Sequence, residues 1–388
     1  MQRIAVEPRA DWQSQAEAQG FVFHTMYGAP YWDETRAYSF TMAEIEAEIE
    51  DPTAALEGMS YAVVERAVNE PGLLDRLRIP AEFHDLVKAS WRRGDKNLYG
   101  RFDFAYGAGG PAKLLEYNAD TPTALFESAV FQWIWLEQMM ERGALPKGAD
   151  QFNSLHERLI EAFKRFGIAP NVLHLAAITS SPEDRGTVEY LADCAIQAGL
   201  KTVLIDMAAI GVDASGHFTD LDDAVITHLF KLYPWEFMVT EPFGRHLLAD
   251  RTAVIEPAWK MVLSNKGLLP LLWEMFPGHP NLLPAWFADQ PGEPWQDLEA
   301  VVRKPLFSRE GANVEIRKGA AIVAATDGEY GAEGFVVQAH TPLLKVGDDY
   351  AVLGSWVVAG QPAGLGIRED ASPITKDLSR FVPHFIAP

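Results

Sequence analysis

The stretch NVLHLAAITSSPEDRGTVEYLADCAIQAGLKTVLID, residues 171–206, changes its pattern twice and decides the fold. Residues 172–179 and 202–205 are short apolar runs, which are typical of buried strands, and residues 186–198 between them have the spacing of a helix. A strand–helix–strand unit predicts a parallel, Rossmann-like sheet. Its turn has no glycine-rich phosphate loop, which disfavours a dinucleotide-dependent oxidoreductase.

The pattern on either side of this unit predicts a mixed α/β (α+β) chain. Residues 1 to about 98 are expected to be mostly helical, and helical segments are also expected after Pro234 and Trp235, up to about residue 276. The alternating runs 97–106 and 113–118 predict a hairpin of two strands. Further elements are expected as helices at 124–142 and 152–165, and as strands at 300–305, 314–316, 320–325, 334–338, 350–358 and 364–368.

The composition narrows the class of protein. The chain has 388 residues, of which 48% are hydrophobic, enough for a large core. Its net charge of −21 would repel nucleic-acid phosphates, so no nucleic-acid partner is expected. Because there is neither a signal-like leader nor a run of about 18 apolar residues, we expect a cytoplasmic protein with no membrane partner. The single cysteine, Cys194, excludes an internal disulfide, and no Cys/His spacing indicates zinc.

The predicted hairpin carries the first candidate site. Side chains two positions apart on a strand share one face, so Arg101 lies beside Asp103, and Glu116 beside Asn118. Two carboxylates and an amide oxygen are ligands that suit Mg²⁺, and the arginine could neutralise phosphoryl oxygens. On spacing alone, an ordinary solvated strand face with charges paired across the hairpin is the preferred interpretation.

Two further patterns are ambiguous in the same way. Residues 118–123 combine Asp120, Thr121 and Thr123 with a proline before a predicted helix, which indicates helix capping more strongly than ligand binding. The second half of the chain carries cations next to a glycine-containing loop, which could hold and cover nucleotide phosphates or could simply be surface charges. These cations are Lys266, Lys304, Arg309 and Arg368.

Longer motifs occur in a fixed order along the chain. They are Arg101-Phe-Asp103, Leu114-Leu-Glu-Tyr-Asn-Ala-Asp-Thr-Pro-Thr123, Pro257-Ala-Trp-Lys-Met-Val-Leu-Ser-Asn-Lys266, Lys304-Pro305 and Gly364-Leu-Gly-Ile-Arg-Glu-Asp370. Together they resemble the synthetase domain of the glutathionylspermidine synthase family, most closely its stand-alone bacterial acid–amine ligase branch. The resemblance runs from about residue 20 to the end of the sequence.

This resemblance implies a circularly permuted ATP-grasp fold with an inserted Rossmann-like pre-ATP-grasp lobe. Residues 1–165 would form a helical region and the metal-binding strands of the ATP-grasp, residues 166–255 the Rossmann-like lobe, and residues 256–388 the nucleotide-binding remainder. In the family, bifunctional members carry a separate Cys/His amidase domain. The first hundred residues contain no cysteine, so hydrolysis of the amide product is not expected.

The resemblance also implies roles for individual residues. Asp103, Glu116 and Asn118 would bind Mg²⁺, and Thr121 and Thr123 would approach the acid substrate. Arg101 and Arg368 would stabilise the transferring phosphoryl group and the tetrahedral intermediate. Residues that would hold ATP are Lys266, Lys304, Ser308, Gly311, Asn313, Gln338, Leu344 and Lys345.

The resulting prediction is an ATP- and Mg²⁺-dependent ligase that joins a small or peptide-like carboxylate to an amine, such as a polyamine. An acyl phosphate would activate the acid, because phosphate leaves far more readily than oxide. Glu236 and Glu369 are candidates for the base that accepts the amine's proton. The alternative is a catalytically silent nucleotide-binding or scaffold protein that keeps the ATP-grasp fold.

Overall fold

The computed structural model describes residues 1–26, 28–169, 171–376 and 379–388. Its α-helices are α1 (Trp12–Ala18), α2 (Met42–Ile45), α3 (Asp51–Asn69), α4 (Leu73–Arg76), α5 (His84–Arg93), α6 (Gln132–Glu141), α7 (Leu155–Phe166), α8 (Pro182–Gln197), α9 (Trp235–Met238) and α10 (Leu268–Met275). Short 3₁₀ turns occupy Ala81–Phe83, Met207–Ala209, Gly244–Ala249 and Ala258–Val262, and π turns occupy Glu46–Glu50 and Glu127–Phe131.

The strands are distributed along the whole chain. They are β1 (Gln2–Ala5), β2 (Thr25–Met26), β3 (Ala29–Pro30), β4 (Arg36–Phe40), β5 (Tyr99–Ala105), β6 (Lys113–Asn118), β7 (Val172–Ala177), β8 (Lys201–Asp206), β9 (Gly211–Val212), β10 (Phe218–Thr219), β11 (His228–Leu232), β12 (Ala253–Ile255), β13 (Ala285–Phe287), β14 (Ala300–Pro305), β15 (Glu315–Lys318), β16 (Ala321–Ala325), β17 (Phe335–Ala339), β18 (Leu344–Val346), β19 (Asp349–Val358), β20 (Gln361–Asp370), β21 (Arg380–Val382) and β22 (His384–Ile386).

A parallel sheet with the order β8-β7-β11-β12 confirms the predicted Rossmann-like unit. Helix α8 connects β7 to β8 and begins at Pro182, four residues before the predicted start. The Ser181 side chain accepts a hydrogen bond from the Asp184 amide, and Pro182 fits the first turn, so the serine and the proline start the helix early. Strand β11 lies in a stretch for which no element was predicted, and β12 lies where helical segments were expected. They have five and three residues, too few for a clear period of two.

An antiparallel sheet with the order β21-β20-β19-β5-β6, to which β18 adds beside β19, forms the centre of the molecule. Strands β5 and β6 form the predicted hairpin, and their register places Arg101 opposite Asn118 and Asp103 opposite Glu116. Buried side chains of α3, α5 and α10, among them Leu56, Leu86 and Leu271, pack in one core with this sheet. The hairpin is therefore held rigidly between two packed layers.

A second antiparallel sheet has the order β13-β17-β14-β15-β16. Four of its strands lie where late strands were predicted, and β13 lies before that stretch. This sheet carries Lys304 at the end of β14 and Gln338 on the neighbouring β17. The predicted strands between residues 300 and 368 are confirmed, with ends that differ by up to three residues.

The expectation of a mostly helical N-terminal region is wrong in part. Strands β1 and β4 pair antiparallel, and β22 near the other end of the sequence pairs parallel with β4. The parallel partner of β4, strand β22, lies more than 340 residues away, so no local sequence pattern could indicate this pairing. The helical run 42–69 is confirmed; Thr41 and Glu44 cap it reciprocally, and a π turn precedes Pro52. In the described residues, no helix combines the length and apolar character needed to cross a bilayer.

Candidate functional site

The hairpin β5–β6 brings the four predicted polar residues together on one face. Arg101 donates to both Asp103 carboxylate oxygens, from Nε at 2.6 Å and from Nη2 at 3.0 Å. The Asn118 amide lies 3.2 Å from Asp103 Oδ2 and 3.4 Å from Glu116 Oε1. Arg101 and Asp103 are buried, so the interpretation of a solvated strand face is wrong for this pair.

Arg368 joins this group from a strand two positions away in the sheet. Its Nη2 donates to Asp103 Oδ2 at 2.9 Å, reaching across β19. Gly354 of β19 stands opposite Asp103, and a Cβ at this glycine would lie 2.7 Å from Arg101 Cδ. A side chain at Gly354 would therefore displace the arginine, a requirement that the sequence alone did not suggest.

Lysines from two other segments face Glu116. Lys266 Nζ lies 3.1 Å from Glu116 Oε2 and also donates to the Ser308 carbonyl. Burial pushes the pKa of Glu116 upward, but the charges of Lys266 and Lys304 outweigh it and hold the pKa at about 2. The carboxylate is thus firmly ionised although it is partly buried.

Lys304 is buried between the two antiparallel sheets. Its Nζ donates to the Leu115 carbonyl at 2.8 Å and to Gln338 Oε1 at 2.9 Å. Desolvation lowers the pKa of Lys304 to about 8, even though Glu116 acts in the opposite direction. Gln338 is fixed in turn, because its Nε2 donates to the Leu114 carbonyl at 2.9 Å.

A cavity of about 370 Å³ opens between the sheets at this point. Asp103, Glu116 and Lys304 line its polar end. Its other walls are largely apolar and come from both sheets, and they include Val302, Ile316, Ala324, Gln338, Leu343 and Val352. Such a mixture of a charged end and an apolar slot suits a ligand with a flat apolar part and an anionic part.

The remaining predicted nucleotide residues lie around this cavity at different distances. Gly311 lines it, whereas Asn313 accepts a hydrogen bond from the Tyr330 amide at 2.9 Å and stabilises its own loop. Leu344 follows the lining residue Leu343 and packs at the edge of the core. Lys345 Nζ lies 4.9 Å from the centroid of the Tyr350 ring, which itself lines the cavity.

A narrow hollow that shares Glu116 with the cavity contains Thr121, Ser308 and Arg309. Arg309 donates from Nη1 to Thr121 Oγ1 at 2.5 Å and from Nη2 to Glu236 Oε1 at 2.8 Å. The loop that carries Ser308 and Arg309 is thereby tied to the hairpin side of the site. Thr123 lies next to Arg101, which donates to its carbonyl at 2.6 Å.

The capping interpretation of Asp120 is wrong. Its carboxylate forms a buried ion pair with Lys231 of β11 and accepts a hydrogen bond from the Trp235 amide at 2.9 Å. Asp120 therefore ties the segment after β6 to the end of the parallel sheet. This contact places the segment that holds Thr121 next to Glu236.

The sequence analysis missed an acidic cluster beside Thr123. Glu127, which is 1% exposed, accepts a hydrogen bond from the Tyr31 hydroxyl at 2.6 Å, and burial raises its pKa to about 7. Burial, together with the charge of Glu127, raises the pKa of Glu183 to about 8, and Glu183 also interacts with the Thr123 side chain. Burial raises the pKa of Asp184 to about 6, with a further contribution from Glu310. Carboxyl groups held this far from their usual pKa favour a cationic ligand.

Glu369 is not available as a base. It is 1% exposed and points to the face of β20 opposite Arg368, where its carboxylate lies 2.7 Å from Arg3 Nε and accepts from the Tyr38 hydroxyl at 2.5 Å. Glu236 remains near the site, but Arg309 occupies its carboxylate. Cys194 is buried and burial raises its pKa to about 12, so its thiol is a poor nucleophile.

The donor set at Asp103 fits Mg²⁺. Two carboxylates from neighbouring strands and the side-chain oxygen of Asn118, once its amide group is rotated, would supply protein ligands, and Mg²⁺ commonly takes one or two carboxylates together with phosphates and waters. Within the ranges that the structure describes, no group of three histidine, cysteine, aspartate or glutamate residues is arranged to hold a metal ion. A metal at Asp103 would thus depend on ligands supplied by a nucleotide.

Comparisons with known proteins relate the chain to synthetases. The family model "Glutathionylspermidine synthase preATP-grasp" matches residues 3–387. A Haemophilus influenzae protein named "Putative acid--amine ligase" is 40% identical over 402 residues, which cover 100% of both chains. Trypanothione synthetase of Crithidia fasciculata is 28% identical over 80% of this chain and 50% of its own. The bifunctional glutathionylspermidine synthetase/amidase of Escherichia coli is 26% identical over 89% of this chain and 58% of its own.

The chain spans little more than half the length of the last two relatives. Among solved structures, a glutathione synthetase-like effector from Globodera pallida matches with a TM-score of 0.53 at 12% identity, covering 90% of this chain and 89% of that one. At this identity the likeness concerns the fold alone, and it agrees with a mixed α/β architecture of the glutathione synthetase-like kind.

Proposed function

Because the chain belongs to the glutathionylspermidine synthase family, we propose that it is an ATP-dependent ligase that joins a carboxylate to an amine through an acyl phosphate. One observation carries the proposal. The carboxylates Asp103 and Glu116 of the hairpin line the same cavity as Lys304, a residue from a distant segment. This juxtaposition is what metal-assisted phosphoryl transfer requires.

We also propose that the two antiparallel sheets form a permuted ATP-grasp. In this arrangement the adenine lies in the apolar slot near Gln338, and the phosphates extend toward Lys304 and Lys266. The loop with Ser308 and Gly311 covers them. The permuted order is supported by the position of the hairpin, which precedes both lysines in sequence.

The proposed reaction has two steps. An oxygen of the substrate carboxylate attacks the γ-phosphorus of ATP, the bond to the bridging oxygen of ADP breaks, and an acyl phosphate results. The amine nitrogen then attacks the carbonyl carbon, and phosphate leaves as the amide forms. In this reaction negative charge develops next to Arg101 and Arg368 in both steps. The two guanidinium groups are already held in place by Asp103, and they stabilise this charge in the transition states.

Mg²⁺ bound by Asp103, Glu116 and Asn118 would neutralise phosphate charge and orient the transferred group. The protein's own residues prepare for this charge. Arg368 is paired with Asp103, and Lys266 is paired with Glu116. When a nucleotide binds, these cations can pair with its phosphates instead, which frees the two carboxylates for the metal ion.

The amine substrate is assigned to the acidic cluster. Glu127, Glu183 and Asp184 lie beside Thr123, which we propose contacts the acid together with Thr121. A protonated amine would be attracted by this cluster, and Glu183, with a pKa raised to about 8, is suited to take the proton before attack. An amine with more than one cationic group, such as a polyamine, would use more of the cluster than a monoamine.

The decisive experiment measures ADP release with Mg²⁺ over a matrix of peptides and amino acids against diamines and polyamines. We expect ADP only where an acid and an amine are both present, and a product whose mass is the sum of the two minus one water. Nucleotide binding without ADP release for any pair would instead support the catalytically silent alternative.

Two variants connect this assay to the site. Asp103→Asn and Glu116→Gln keep the side-chain shape but remove the charge, and we expect each to abolish ADP release. Glu141→Gln, an exposed carboxylate on α6, is the matched control and should turn over normally. Full activity of both site variants would contradict the proposed metal site.

A further inference from the structure

A cavity of about 590 Å³ lies beside β12, the outermost strand of the parallel sheet. It is larger than the cavity between the antiparallel sheets and shares none of the residues described there as lining it. Its walls come from the end of α5, the start of β11 and the loop that precedes β12. The proposed ligase reaction leaves this cavity without a role.

The polar side chains of this cavity favour an anion. Its two aspartates, Asp95 and Asp250, are both paired with Arg93, which lies 2.6 Å from each carboxylate, and Lys96 also lines the cavity. Arg251 contributes a second guanidinium, of which Nη1 donates to the Ser215 carbonyl at 2.6 Å, so the lining carries three cations and three histidines against two carboxylates. A surplus of positive groups stands out in a chain whose net charge is −21.

The histidines are held close to Arg251. His246 and Arg251 both lie near Gly216, since a Cβ there would be 3.2 Å from His246 Nδ1 and 3.9 Å from Arg251 Nη1. His217 and His228 line the same cavity. His217 Nδ1 is paired with Asp213, and His246 Nε2 accepts a hydrogen bond from Arg245. The groups left to bind an anion are therefore His246 Nδ1, the His228 ring and the Arg251 guanidinium.

A second, independent observation comes from Ser90. This residue lines the cavity and is 1% exposed, and within the described part of the chain its hydroxyl has no hydrogen-bond partner. A buried hydroxyl without a partner is destabilising, and native structures rarely keep one without reason. A ligand oxygen could satisfy it after the Ser90 side chain rotates toward the cavity that this residue lines.

The apolar part of the lining limits the shape of the ligand. Phe166, Phe218 and Trp235 contribute aromatic surface. We propose that this cavity is a second binding site, for a small organic anion whose apolar body contacts these rings and whose carboxylate or phosphate group is bound by Arg251 and the histidines. The site is separate from the nucleotide cleft and does not depend on the proposed ligase reaction.

The test uses phenyl phosphate and benzoate as probes, with benzamide as the uncharged counterpart of benzoate. Calorimetry is carried out on the full chain with saturating ADP and Mg²⁺, at constant ionic strength, so that the nucleotide cleft is occupied. We expect one of the two anions to bind at least about tenfold more tightly than benzamide, as for a charge-assisted hydrogen bond. Phenyl phosphate binding alone would identify a phosphate group as the ligand chemistry, and benzoate alone a carboxylate. Anions that bind no better than benzamide would overturn the proposal.

Variants locate the binding. Arg251→Gln is expected to weaken anion binding about tenfold, and Ser90→Ala to weaken it by a smaller factor. Ser90→Ala removes a hydroxyl without a partner, so the melting temperature of the free protein should stay the same or rise, which keeps this variant informative if Arg251→Gln folds poorly. Arg142→Gln, an exposed arginine after α6, is the control and should bind as the wild type does. Unchanged anion affinity in both Arg251→Gln and Ser90→Ala would also overturn the proposal.

Discussion

Lys304 links nucleotide binding to pH at a single residue. Desolvation lowers its pKa to about 8, so in the free protein the ammonium is charged at pH 7 and largely neutral at pH 9. If its charge holds the phosphates, the affinity for ADP with Mg²⁺ is expected to fall about tenfold between these two values. Calorimetric titrations at pH 7, 8 and 9 measure this directly and involve no amine substrate.

Lys304→Arg is the informative control. Arginine stays charged throughout this range, so the affinity of the variant should be nearly independent of pH. A wild-type affinity that is constant from pH 7 to pH 9 would contradict a phosphate-binding role for the Lys304 ammonium.

Glu183 gives a pH dependence of the opposite sign. Because burial raises its pKa to about 8, the carboxyl becomes ionised only as the pH rises through this value. We expect kcat/KM for the amine, measured at saturating ATP, to rise across pH 8, well below the pH at which an ordinary alkyl amine loses its proton. Glu183→Gln should remove this rise and increase the KM for the amine about tenfold.

The same helix offers a matched control for Glu183. Asp193→Asn removes an exposed carboxylate from α8, and its kinetics should equal those of the wild type. If Glu183→Gln changed the KM for ATP and left that for the amine unaltered, the acidic cluster would have been assigned to the wrong substrate.

At the residue scale, what could be predicted depended on how locally the contacts are made. Asp103 and Glu116 could be paired from the sequence because strand alternation and a short turn fix their faces. The acidic cluster could not be found, because Glu127 and Glu183 start different helices, where acidic residues are ordinary. Asp120 was misread for a related reason: its position before a helix suggested capping, and its partner Lys231 is distant in sequence.

At the scale of elements, β20 separates two functions on its two faces. Arg368 points toward Asp103, and Glu369, the next residue, points into a partly buried group of arginines that includes Arg3 and Arg36. Neighbouring residues of a strand face opposite sides, so the adjacent position could not serve the same site.

Glu369→Gln is therefore expected to lower stability and to leave the KM values for the substrates unchanged. Removing the charge leaves partly buried arginines with Asp349 but without Glu369 as a counter-charge, which costs about 2 kcal/mol of the free energy of unfolding. Urea unfolding followed by circular dichroism measures this loss, and Glu141→Gln again serves as the reference. Loss of turnover with unchanged stability would instead indicate that Glu369 takes part in the reaction.

Elements with a long, regular pattern could be predicted, and short strands that depend on distant partners could not. The hairpin, α8 and the late strands have either clear alternation or a strong helix start. Strands β4 and β12 have few residues. Strand β4 pairs with β22, which is remote in sequence, and β12 pairs with β11 across a long connecting segment. Tertiary pairing therefore decided their structure, and local propensity did not.

At the scale of the whole molecule, two antiparallel sheets meet so that early carboxylates face late cations. The cations at the site outnumber its carboxylates before any ligand binds, because Arg101 and Arg368 contact Asp103, and Lys266 and Lys304 act on Glu116. A bare Mg²⁺ must compete with these cations, whereas a nucleotide brings phosphates that can bind them.

Mg²⁺ alone is accordingly expected to change the melting temperature very little. ADP and Mg²⁺ together should raise it by more than the sum of their separate effects, since binding to the native state stabilises it. Thermal unfolding with each ligand alone, with both, and after addition of a chelator tests this. A full stabilisation by Mg²⁺ in the absence of nucleotide would show that the metal site is complete without phosphates.

The small sheet of β1, β4 and β22 has a consequence for synthesis. During translation β4 leaves the ribosome more than 340 residues before β22, so this sheet has a gap until β22 has emerged. Arg368 and the two lysines of the cleft are also made long after Asp103. A nascent chain that has not yet reached these residues would thus lack the cations that the proposed reaction requires.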